Sequence, residues 1–334
     1  MPSVSVLMPV RDAQDSVMEA VASIQAQSLH DWELILVDDG SQDDTPALLE
    51  AACKQDPRLN RIRIPASGIV QALNTGLDAC RAPFIARMDA DDWMHPDRLA
   101  LQFRHLLENP DTGLVSCRVR YQGDGAGYAD HVNWINTLMS PESMSLRRFV
   151  EAPVAHPSVM FRRSLVEQHG GWRQGAFPED YELWLRWLEA GVRFAKLPEE
   201  LLIWNDPPGR LSRTDPRYST EAFYELKNRH LARWLQGQVG GHRGVWLWGS
   251  GRITRRRFDA LEDLGLRFTG FIDVNPAKRG RLINGRRVRL PDELPAMEES
   301  FIIAGVGARG ARENIHAHLT ERGWLEGRDF LLAA

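Results

Sequence analysis

Pro83-Phe84-Ile85-Ala86-Arg87-Met88-Asp89-Ala90-Asp91-Asp92-Trp93 is the stretch on which the reading of this chain turns. Residues 83–86 form a short apolar run of the kind that makes a buried strand. Three carboxylates crowd its end, and His95-Pro96-Asp97-Arg98-Leu99 follows, where Pro96 suits a helix start. On an extended chain alternate side chains share a face, so Asp89 and Asp91 can point the same way. Close carboxylates stay ionised together only with a cation among them. A divalent metal with oxygen ligands meets that demand. The same string also serves as a solvated acidic loop capping the next helix, with Asp92 as the cap and Arg98 as its ion-pair partner.

Working outward, residues 4–8 read as a first strand ended by Pro9, and residues 15–27 carry Val17, Val21 and Ile24 at helical spacing. Residues 32–37 read as a second strand that runs into Asp38-Asp39-Gly40-Ser41 and then a helix. Residues 61–64 give a third strand, and 69–80 a helix with Val70, Leu73 and Leu77 on one face. This alternation predicts an α/β fold built on a parallel, doubly wound sheet. In such sheets ligands gather beyond the carboxyl ends of the strands. Asp38-Asp39 and Asp89/Asp91/Asp92 both fall at such ends, and two acidic clusters on one rim point to a ligand site. For Asp38 and Asp39 the local alternative is turn formation, with Ser41 or Asp43 capping the next helix.

With 334 residues the chain has room for two domains, and 43% hydrophobic with 26% charged residues is ordinary for a soluble globular protein. A net charge of −4 gives no argument for nucleic-acid binding. Cys53, Cys80 and Cys117 lack metal-type spacing, and their odd number argues against a disulfide framework. A reducing, cytoplasmic setting is expected. The first residues lack a basic segment followed by a long apolar run, so no signal peptide is expected. No apolar stretch is long enough to span a bilayer, which leaves peripheral membrane contact open.

Four ordered segments carry a family resemblance: "SVLMPVRDAQDSVMEAVASIQAQSLHDWELILVDDGSQDDT", "GIVQALNTGLDACRAPFIARMDADDWMHPDRLALQ", "HPSVMFRRSLVEQHGGW" and "FPEDYELWLRWLEAG". Residues 1–215 resemble a family 2 glycosyltransferase of the GT-A (nucleotide-diphospho-sugar transferase) fold. The resemblance implies inverting transfer of a sugar from a nucleotide-diphosphate donor, a UDP-sugar by default, to a glycan or lipid-linked acceptor in surface polysaccharide assembly. It places Pro9, Val10, Arg11, Asp38, Asp39 and Asn74 around the nucleotide. Asp91 becomes a ligand of Mn²⁺ or Mg²⁺, and Asp89 a holder of the ribose or of the metal. His156 lies near the diphosphate or the acceptor, and Arg210 with Ser212 on a segment that closes over the donor. Asp180 becomes the base that takes the acceptor's proton, with Glu179 beside it. Arg11-Asp12 stands where relatives often carry Asn or Tyr-Asn. Leu183 replaces the Gln of the processive motif, so processivity is not inferred.

Residues 156–161 read as one strand opened by His156, and 191–197 and 201–204 as the last strands of this domain. A helical connector is expected over 216–240. From residue 241 the pattern restarts as a Rossmann-like domain, 241–334, similar to the nucleotide-binding part of sialic-acid-type O-acetyltransferases. Its Gly249-Ser250-Gly251 and Gly305-Val306-Gly307 sit at strand-to-helix turns, and Asp273 follows the next strand, where a ribose-binding acid can stand. Ligand binding and a docking or homo-oligomerising role are both open for it. Arg255-Arg256-Arg257 reads first as a solvated helix face and second as a contact for an anionic membrane or a glycan. Two other readings of the whole are a catalytically idle sugar-nucleotide sensor and a nucleotidyltransferase. The latter usually has a Gly-rich first turn, and Pro9-Val10-Arg11-Asp12-Ala13 has no glycine.

Overall fold

The computed structural model describes residues 1–207, 209–239, 243–308 and 310–334. The expected boundary at 240/241, together with Pro208, His242 and Arg309, lies outside the described residues. The chain divides into two compact units: residues 1–145, 153–175 and 179–214 form one, and 146–152, 176–178 and 215–334 the other.

The first unit holds β1 (Val4–Val10), β2 (Trp32–Asp39), β3 (Leu59–Ile64), β4 (Phe84–Arg87), β5 (Trp93–Met94), β6 (Thr112–Gln122), β7 (Met160–Arg162) and β8 (Arg193–Asn205). Its helices are α1 (Val17–Gln25), α2 (Thr45–Gln55), α3 (Ile69–Ala79), α4 (Arg98–Glu108), α5 (Ala126–Thr137), α6 (Pro141–Arg147), α7 (Ser164–His169), α8 (Glu179–Glu189) and α9 (Leu211–Thr214); the tail of α6 belongs to the second unit. The strands run in the order β3-β2-β1-β4-β7-β6-β8-β5. Val4, Val6, Leu7 and Met8 are fully buried, as the apolar run of a central strand requires. From β1 the chain moves outward to β2 and β3, then crosses back to β4 on the other side, all in parallel. The switch point therefore lies between β1 and β4, where Pro9-Val10-Arg11 and Asp89 both emerge. Helix α3 packs onto this region at Gly76, where a Cβ would overlap Leu7 Cδ1 and lie 2.8 Å from Val37 Cγ2.

Beyond β4 the sheet turns mixed, which corrects the expectation of a purely parallel one: β7 is antiparallel to β4 and β6, and β5 to β8. The sequence reading assigned no strand to β6. The two expected last strands are one, β8, which follows β6 through several register shifts despite Pro198 and so reaches Asn205. His156 opens a 3₁₀ turn, residues 156–158, and not a strand; only Met160–Arg162 pairs.

The second unit contains α10 (Thr220–Val239), β9 (Gly244–Trp248), α11 (Arg252–Phe258), α12 (Ala260–Asp263), β10 (Phe268–Ile272), β11 (Leu282–Ile283), β12 (Arg286–Arg289), β13 (Ser300–Ala304), α13 (Ala311–Thr320) and β14 (Phe330–Leu332). Its sheet runs β11-β12-β10-β9-β13-β14 and is parallel except for the edge hairpin β11–β12. Among the described residues, no helix is long and apolar enough to cross a membrane.

Candidate active site

At the end of β4, Met88 N–H bonds Leu7 C=O at 3.0 Å and carries the acidic run onto the rim of the switch point. Asp89, Asp91 and Asp92 each offer a carboxylate oxygen there, and these oxygens lie within 4.8 Å of one another. Asp92 is buried; one of its oxygens accepts from Asn205 N–H at 2.9 Å, and the other has no hydrogen-bond partner among the described residues. Asn205 also donates its side-chain N–H to the Asp91 carbonyl at 2.6 Å, so the end of β8 holds the acidic loop. Burial, and next the charge of Asp89, push the Asp91 carboxyl up to about 6. Burial, then Asp89 and Asp91, raise Asp92 as well. An all-oxygen set with one orphaned oxygen and two disfavoured charges fits a hard divalent cation.

Part of the cation demanded by these acids is supplied by the protein itself. Arg87, 1% exposed at the end of β4, is ion-paired with Asp89. The charges of Asp89, Asp92 and Glu179, in that order, outweigh its burial and raise its pKa. Arg87 therefore joins the triad to the start of α8, about ninety residues away in sequence. No local signal marked it, because an arginine inside a strand usually points to solvent. The expected pairing of Arg98 with Asp92 is corrected: the buried Arg98 donates through Nη2 to the carbonyls of Arg87, at 2.9 Å, and Val159, at 3.4 Å, and through Nε to Gln102 Oε1. It bridges strands and meets Asp92 only as a nearby charge.

Helix α8 is anchored by aromatic packing. Trp184 and Trp187 are fully buried, their rings 5.9 Å apart, and Trp187 meets Phe161 at 5.2 Å. Such edge-on contacts add to the area each ring buries. They fix Glu179, which is buried, and Asp180, which is half-buried, in the helix's first turn.

Other anticipated residues take places of their own. Asp38 is buried, accepts from Ser41 N–H at 2.9 Å and lies 3.5 Å from Arg63 Nε. Asp39 accepts from the backbone N–H groups of Ser67, at 2.6 Å, and Gly68, at 2.9 Å, just ahead of α3, with Arg11 Nη1 3.7 Å away. Pro9 and Val10 pair with Val37 and Asp38 across β1 and β2, which aligns the two rims. Both amide atoms of Asn74 are engaged by the Trp172 backbone, at 2.9 and 3.2 Å. His156 is buried beside Trp172 and Trp184 and accepts from Trp172 Nε1 through Nε2 at 3.1 Å. Burial, and then the charge of Arg87, push its pKa far down, so the ring is neutral. Arg210 lies over the Trp204 ring at 4.1 Å and lowers Asp91 and Asp92 by its charge. In the second unit Asp273 accepts from Ser250 N–H at 3.1 Å and Lys278 Nζ at 2.6 Å.

A doubly wound sheet that turns mixed beyond its switch point, with an acidic triad on that rim, defines a GT-A glycosyltransferase. The profile of "Glycosyl transferase family 2" matches residues 5–170. The O-antigen biosynthesis glycosyltransferase WbnJ of Escherichia coli is 27% identical over 236 residues, 70% of this chain and 89% of that one. The putative glycosyltransferase EpsE of Bacillus subtilis is 30% identical over 228 residues, 66% of this chain and 79% of that one. Several relatives are larger, and the chain spans only 26% to 49% of three of them. Among solved structures, S. aureus TarS 1-349 in complex with UDP-GlcNAc aligns with a TM-score of 0.53 at 16% identity, over 70% of this chain and 67% of that one. The mannosyltransferase PcManGT from Pyrobaculum calidifontis, in complex with GDP-Man and Mn²⁺, gives 0.52 at 20%, over 78% and 69%. These two share the fold. The chain belongs to glycosyl transferase family 2 and is a glycosyltransferase.

Proposed function

We propose that the first unit, within the expected domain 1–215, moves a sugar from a nucleotide-diphosphate donor, a UDP-sugar, to a glycan or lipid-linked acceptor in surface polysaccharide assembly, inverting the anomeric carbon. The observation that carries this reading is the meeting of the acidic triad and the start of α8 around one buried cation, Arg87. The TarS complex supports the choice of UDP, and the O-antigen role of WbnJ supports the setting.

Asp91 and Asp89 would hold Mn²⁺ or Mg²⁺, which supplies positive charge to the diphosphate as it leaves; the Mn²⁺ complex of PcManGT supports this. Arg87 holds Asp89 in place, and Asn205 holds the loop that carries Asp91 and Asp92. Asp180 takes the proton of the acceptor hydroxyl while that oxygen bonds to the anomeric carbon and the bond to the diphosphate breaks. Glu179, buried behind it, orients the helix start. Pro9, Val10 and Arg11 line the nucleotide's side of the switch point. Asp39 organises the 67–68 backbone beside it, and His156 stays a neutral hydrogen-bond acceptor. Arg210 is a candidate phosphate partner from the segment after β8.

Calorimetric titration of UDP with and without Mn²⁺, paired with turnover in chelator, tests the reading. Metal-dependent binding and loss of turnover are expected. Equal affinity in both, with full turnover in chelator, sinks the metal assignment.

A further inference from the structure

Charge is divided unevenly between the two units. The second carries 22 Lys and Arg against 16 Asp and Glu, while the first carries 19 against 29. The modest net charge of the whole chain hides this asymmetry.

Within the second unit, a basic surface gathers at the carboxyl ends of β9, β10 and β12. The loop ahead of α11 is tied to the loop after β10 by Ser250, whose N–H and hydroxyl both donate to Asp273. The 280–281 segment is tied alongside β12 by paired backbone bonds to Val288, each 2.9 Å. These ties place Arg252, Ile253 and Arg256 of α11, Val274, and the run Lys278-Arg279-Gly280-Arg281 on one rim. Residues three and four apart on a helix share a face, so Ile253 stands between two arginines.

Two features of the rim are unusual for a plain solvated surface. Ile253 and Val274 are 70% and 72% exposed, in a chain with few large apolar side chains so open among the described residues. Lys278 and Arg279 are answered by Asp273 and Glu293. Arg252, Arg256 and Arg281 are exposed and make no ion pair among the described residues. Exposed aliphatic side chains interleaved with unpaired guanidinium groups suit one kind of partner, a sheet of anionic headgroups over a hydrocarbon layer. A nucleic acid would answer the arginines but leave the aliphatic tips in water.

We propose that this rim is a peripheral docking surface for anionic lipid bilayers, with Arg252, Arg256 and Arg281 at the headgroups and Ile253 and Val274 in the interface. The inference uses the second unit alone and does not rest on the donor-site assignments.

The test is co-sedimentation of the full chain with phosphatidylcholine vesicles, with and without phosphatidylglycerol. UDP binding and thermal melts serve as controls for intact folding. Binding to the anionic vesicles only, weakened by salt, is expected. Each basic residue near such a surface contributes about five-fold in partitioning, so the Arg252→Ala/Arg256→Ala/Arg281→Ala chain should lose on the order of 100-fold. Ile253→Ser/Val274→Ser should lose about ten-fold, and this loss should persist at salt concentrations that erase the arginine effect. Equal partitioning to neutral and anionic vesicles, or wild-type behaviour of the triple variant, overturns the proposal. So does retention on heparin that tracks the arginines while Ile253→Ser/Val274→Ser sediments like wild type, because the rim is then a generic polyanion site.

Discussion

Replacing Arg87 by Met removes a charge that the fold has buried among acids while keeping most of the side-chain stem. Arg87 is 1% exposed, pairs with Asp89, and feels Asp92 and Glu179. Breaking a buried ion pair from one side costs about 3–5 kcal/mol, because the partner charge is left uncompensated. The Asp89 side chain is 23% exposed, so water relieves part of that, and a loss of about 3 kcal/mol near pH 7 is expected. The pH dependence has a definite sign. Arg87 is one of the charges that lower Asp91, whose carboxyl already stands at about 6. Without Arg87 it rises further above its unfolded value, so the native state holds more protons than the unfolded chain, and stability falls as pH rises. The deficit should be largest above about pH 7 and shrink toward about pH 5. Asp89→Asn in the Arg87→Met background removes the orphaned carboxylate and should recover more than about 1 kcal/mol. Urea unfolding of the four proteins of the cycle, in chelator and at both pH values, measures all three quantities. An Arg87→Met chain within about 0.5 kcal/mol of wild type, or strict additivity of the two changes, would refute the reasoning.

Asp180→Asn should leave UDP-sugar affinity nearly unchanged and cut turnover by ~10²–10⁴-fold, with Glu179→Gln much milder; turnover at saturating donor compares them, and a folded Asp180→Asn enzyme at normal rate removes the base assignment. In metal-free protein Asp91→Asn should stabilise the fold above pH 7, because a carboxyl held at about 6 is ionised there against its environment. The ceiling is about 3 kcal/mol, and the gain should vanish by about pH 3, where the carboxyl is protonated in folded and unfolded chains alike; urea midpoints at the two pH values decide it. Gly76→Val should cost about 1–3 kcal/mol by driving α3 off Leu7 and Val37; an unchanged melting temperature would show that the helix can shift freely.

By itself the sequence determined the strands at residues 4–8, 32–37 and 83–86, because apolar runs broken by Asp, Gly and Pro carry their own local signature. It determined too that Asp89, Asp91 and Asp92 stand at a strand end. Tertiary structure decided what these residues meet. Asp38 holds the backbone of nearby Ser41, Asp39 the distant Ser67–Gly68 backbone, and Asn74 that of Trp172, because which amides are left unpaired nearby depends on how the chain folds back. Strand β6, the single long β8 and the mixed half of the sheet were illegible because their pairing partners lie far away in sequence. Arg87 shows the limit most plainly. An arginine within a strand reads the same whether it points to water or into the protein. Only the convergence of Asp89, Asp92 and Glu179 from separate segments offsets the cost of burying its charge and puts it at the centre of the site.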